Sequence, residues 1–191
     1  MRSVSVLCLA LLSVLLSSCA TCWRGGIPMR KYEEQAQWGA EVDILKTAKD
    51  VTIYRGLAHP KAQRSLYANQ VKAGGWMEIQ GFKFYQKPAD DLPAGTAEKV
   101  LKLYCKSDSH QALAVKNTCP GFHPDYALVW KSGGTQRVLQ ICYGCHEWKY
   151  FGPGGTIHTD INEPAYFDGL MHLLPRGKLQ HKFRASAEDG H

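Results

Sequence analysis

Two thiols and an imidazole fall within five consecutive residues, Cys142-Tyr-Gly-Cys145-His146. As C-x-x-C-H this matches the attachment pattern for c-type haem, in which both sulfurs add across the vinyl groups and His146 ligates iron. Met77, Met171, His158 and His172 are the axial partners on offer. With Cys119-Pro-Gly-Phe-His123, the turn supplies three thiolates and an imidazole. Cys119, His123, Cys142 and Cys145 would then be the donors of a closed tetrahedral zinc site. The pair Cys142 and Cys145 alone suits thiol–disulfide exchange, which works best when a helix N-terminus lowers the first thiol's pKa.

A purely architectural reading covers the same residues. Cys105, Cys119, Cys142 and Cys145 are all disulfide candidates. A Cys105–Cys119 bridge would close a loop of about fifteen residues, worth ~3 kcal/mol in the chain-entropy model. Cys142 and Cys145 would flank Tyr143-Gly144 at a tight turn, paired or reduced. Outside the cysteines, His158 and Asp160 share one side of a strand at period two, a spacing open to acid–base work or to simple cross-strand pairing. His123-Pro-Asp125 reads as a turn, and the adjacent Asp90 and Asp91 point apart. No convergent catalytic set emerges, so the expectation leans away from an enzyme.

Export bears on which chemistry the sulfurs can do. Arg2 is followed by the apolar run Val4 to Leu16, shorter than the ~20 residues a transmembrane helix needs. Leu16-Ser-Ser-Cys19 then closes the segment, with Ala20 after it. These residues resemble the bacterial lipoprotein signal, the lipobox. The resemblance implies cleavage before Cys19, lipid on its sulfur and acyl chains that hold the chain stably to a membrane. It further implies an exported protein of the cell envelope, on the cell membrane or, given Ala20, the outer membrane, facing periplasm or exterior.

Of the seven cysteines, Cys8 would leave with the signal and Cys19 would carry lipid, which leaves an odd five. An oxidising compartment favours disulfides among them. Cys22, close to the anchor, is the natural odd one out.

Composition bounds the rest. The 191 residues, 45% of them hydrophobic and 21% charged, suit one globular domain. The net charge of +6 comes from scattered lysines and arginines rather than a basic face with interleaved aromatics, so nucleic acid is not an expected partner. The expected partner is the membrane, through the N-terminal lipid; nothing in the chain points to a particular protein partner.

The chain divides into a signal peptide (1–18), a lipidated N-terminus and tether (19–40), a domain (41–175) and a polar tail (176–191). Within the domain, 41–48 reads as a short helix and 51–56 as a first strand, while 61–72 has only weak helical periodicity and is left unassigned. Residues 76–85 read as one strand with a bulge at Gly81. Ala97, Val100, Leu101 and Tyr104 make a helical stripe over 96–104. Strands are expected at 126–130, 136–141 and 156–160, and a last helix with Asn162 as its cap. The sum is an α+β domain, mainly antiparallel sheet with two helices packed on one face.

The segments Cys119 to Tyr126 and Val138 to Glu147 also resemble a loose family of exported bacterial proteins. That resemblance implies a shared small domain and carries over no catalytic residue.

Overall fold

The computed structural model describes residue 39 and residues 41–114 and 120–175. The lipobox, the tether apart from residue 39 and the tail at 176–191 lie outside these residues. Among the described residues no helix is long and apolar enough to cross a membrane.

The fold is α+β. A short helix α1 (41–46) leads into β1 (Thr52–Arg55), α2 (Arg64–Ala73) and the hairpin β2 (Trp76–Ile79) and β3 (Phe82–Tyr85). Helix α3 (Thr96–Tyr104) and a 3-10 turn precede the two-residue strand β4 (His110–Gln111). A meander follows: β5 (Tyr126–Ser132), β6 (Thr135–Cys142), β7 (Glu147–Gly152) and β8 (Gly155–Ile161). The chain ends in α4, a π-helical segment Ala165–Leu170 that runs into the turn Met171–Leu173. The main sheet is antiparallel, in the order β1-β5-β6-β7-β8-β4.

Successive strand residues point to opposite faces, so the register sorts the side chains. One row runs Ile53, Leu128, Leu139, Tyr150 and Ile157 across five strands; the next holds Tyr126, Ile141 and Trp148. These residues meet Val100, Leu101 and Tyr104 of α3 and Tyr166 and Leu170 of α4 in the larger core. Both helices therefore cover one face, as their apolar stripes predict. The other face is half covered: Ala127 and Val138 pack beneath Ile79 and Phe84 of the β2–β3 hairpin.

Three local expectations need correction. Residues 64–73 are helical although none is buried, because Leu66, Tyr67 and Val71 are only half covered. Their weak periodicity reflects that shallow seat. Gly81 is not a bulge: Gln80 and Gly81 both take positive φ (50° and 81°), which folds 76–85 into a two-residue hairpin. The last helix begins at Glu163 with Asn162 at its N-cap as expected, but the capping contact is the Asn162 carbonyl accepting Tyr166 N–H at 2.9 Å, while its own N–H donates to Ser109 O.

Buried polar groups tie the layers together. Glu41 Oε2 accepts from Arg137 Nε at 2.9 Å and from the Tyr150 hydroxyl at 2.5 Å, fastening α1 to the sheet. His110, on the short edge strand, donates Nε2–H to Tyr104 O (2.6 Å) and accepts from the Thr159 hydroxyl at Nδ1 (2.8 Å). A carbonyl can only accept, so the geometry requires this tautomer. Burial pushes the imidazole down to about 4, which keeps it neutral.

Candidate functional site

The cysteine turn links β6 to β7, and its side chains part company. Cys142 is buried, with its sulfur accepting the backbone N–H of Cys145 at 3.3 Å and that of His123. Its thiol is free and burial pushes it up to about 12, so it is protonated and unreactive. Cys145 is disulfide-bonded. Since Cys105 and Cys142 are both free, its partner sulfur is outside the described residues. His146 takes φ +53° and stacks on Tyr166 of α4 with ring centroids 3.8 Å apart. Tyr143 points into the larger core and donates its hydroxyl to Leu174 O. Asp125 Oδ2 accepts Tyr143 N–H at 2.6 Å and so pins the 120–125 loop to the turn.

This arrangement corrects several expectations. A c-type haem needs both sulfurs and an imidazole facing one porphyrin. Here Cys145 is committed to a disulfide, Cys142 is buried and His146 lies flat against Tyr166. The residues do not fit the group.

The zinc quartet is not assembled either, because Cys145 offers no thiolate and Cys119 lies outside the described residues. Among those residues no group of three or more His, Cys, Asp or Glu side chains is set to hold a metal. His123 instead packs its ring 4.8 Å from His59, and burial first, then that neighbour, brings its imidazole down to about 4. Cys105 was expected in a bridge to Cys119; its thiol is free, and burial raises it to about 11. The Cys142–Cys145 pairing and the redox role fall with the free, raised thiol of Cys142.

The chemistry that sequence reasoning missed lies on the sheet face away from the helices. The register places Gln140, Lys149 and His158 in one row across β6, β7 and β8, with Cys142, Glu147 and Asp160 in the next and Val138, Phe151 and Thr156 on the other side. His158 Nε2 lies 2.8 Å from Glu147 Oε2, a diagonal contact between adjacent strands. Asp160, expected beside His158, is buried and accepts the N–H of Ala114 at 3.1 Å. Residues two apart on a strand share a face but stand ~7 Å apart, so the cross-strand neighbour wins.

Aromatic rings frame this band. Phe122 meets His158 edge-on at 5.2 Å and Phe82 at 5.7 Å. Lys149 Nζ lies 5.5 Å from the Phe122 ring and 5.6 Å from Phe151, within cation–π range. Among the described residues no carboxylate pairs with that ammonium. Lys149, His158, Phe122 and Phe151 are all half-buried, so water and solutes reach them. By contrast, a hollow of about 380 Å³ beside β1, lined by Val51, Ile53, Pro88, Leu92 and Thr96, carries little chemistry. Its one ionisable residue, Asp90, is paired with Lys87 at 3.3 Å.

No family model matches the chain. No curated protein and no solved structure matches it either. The site is therefore argued from its own geometry.

Proposed function

We propose that this chain is a lipid-anchored protein of the bacterial cell envelope whose α+β domain binds a partner or ligand rather than catalysing a reaction. The anchor rests on Leu16-Ser-Ser-Cys19 behind an apolar run too short to span a membrane. Binding rather than catalysis rests chiefly on one observation. The nucleophiles and bases of the cysteine turn are occupied or silent, while Lys149 and His158 stand half-open among phenylalanines.

Burial keeps the thiols of Cys105 and Cys142 protonated and the imidazoles of His110 and His123 neutral. Glu147 and His158 form a polar pair, and the thiol across from Glu147, that of Cys142, is buried and held protonated. Such a constellation recognises; it does not activate.

The anchor is tested in cells fed a labelled fatty acid. The wild-type chain should take up label and fractionate with membranes, and Cys19→Ala should lose both. Equal labelling of the variant contradicts the reading.

A further inference from the structure

We infer that the band formed by Lys149, His158, Phe122 and Phe151 binds a small carboxylate carried on an apolar body. The inference deepens the binding reading above and rests on it. Lys149 and His158 lie directly opposite each other on β7 and β8, so their polar ends address one spot above the sheet. The lysine's neighbours are ring faces rather than an acid. A half-buried ammonium held this way keeps its charge uncompensated and gains from a bound anion.

Glu147 takes up His158 Nε2, which turns Nδ1 to the free side of the ring. Nδ1 is thereby left to face the ligand, and the Glu147 carboxylate is engaged by His158 rather than by Lys149, so the charge that addresses the spot is that of the ammonium. Phe122 and Phe151, both within cation–π range of the ammonium, with Phe82 against Phe122, supply an apolar wall that a bare inorganic anion would leave wet. Opposite charge and apolar surface side by side match an aryl or alkyl carboxylate.

The full-length chain in nanodiscs of zwitterionic phosphatidylcholine, titrated calorimetrically with phenylacetate, tests this. Phenylacetate should bind, and acetate and phenylacetamide should bind at least tenfold more weakly. Lys149→Met and His158→Gln should each weaken phenylacetate at least tenfold. Lys149→Arg should retain most of the affinity, and Lys87→Met should match wild type. Matched urea midpoints would show that the variants are folded.

No detectable binding, equal binding of phenylacetamide, or unchanged affinity in Lys149→Met would overturn the inference. So would phosphate binding as tightly as phenylacetate. Lipid labelling at Cys19 is read separately, so failure here leaves the anchor reading standing and failure there leaves this one.

Discussion

Arg137 on β6 and Glu41 in α1 are 96 residues apart in sequence and form the buried ion pair of the larger core, 2.9 Å apart and 6% and 9% exposed at the side chain. Arg137 also donates to Ser132 O, and the Tyr150 hydroxyl shares the Glu41 oxygen. Burial and the Glu41 carboxylate together push the tyrosine well above its ordinary range. The contact closes the sheet against the residue that first enters the domain.

Removing one partner strands the other charge without water. Arg137→Met is expected to cost about 3–5 kcal/mol, and Glu41→Leu with Arg137→Met to recover a large part of that loss. Urea unfolding of the single and double variants measures both. A double variant no more stable than Arg137→Met would show that the pair's contribution is not electrostatic.

Stability should fall with acid in a defined window. Burial lowers His110 and His123 to about 4, against an unfolded value of 6.5. The unfolded chain therefore takes up protons at these positions as pH drops below about 6.5, while the folded chain resists until about 4. Their contribution is complete above the unfolded value and is lost across that window. Chemical denaturation at pH 7.5, 5.5 and 4.5 should show the decline, and His110→Gln should flatten it.

Gly56 bridges to Phe84, and its N–H donates to Asp125 O at 2.8 Å. A Cβ there would stand 2.1 Å from Pro124 O, a backbone atom with no room to retreat. Gly56→Ala should therefore destabilise by about 1–3 kcal/mol or more, since overpacking must be relieved by moving the chain. The midpoint of thermal unfolding checks this, with Gly39→Ala, which meets nothing within 4 Å, as the comparison.

The meander was readable because its signals are local. The runs of β-formers over 126–130 and 136–141, buried on both faces, and the stripe of Ala97, Val100, Leu101 and Tyr104 each mark an element from its own residues. Gly133-Gly134 spells a two-residue turn outright, whereas Gln80-Gly81 puts a non-glycine residue at the first positive φ. Taking the second as a bulge hid a hairpin, and with it the layer that half covers the second face.

The site was less legible because it depends on register. A two-residue connection sets 152 opposite 155 and so 149 opposite 158, which brings Lys149 and His158 together. The C-x-x-C-H spelling carried no information on which way each side chain turns, and that is what separates a cofactor site from a clasp. The Glu41–Arg137 pair had no local signature at all.

The most direct test is a mass spectrum of peptides from the mature chain, isolated from membranes under non-reducing conditions. The account predicts a lipidated peptide beginning at Cys19, Cys145 in a disulfide, and alkylatable thiols at Cys105 and Cys142 once the protein is denatured. A haem increment on the peptide spanning Cys142 and Cys145, or a bridge between those two sulfurs, would contradict it and return the chemistry to the turn.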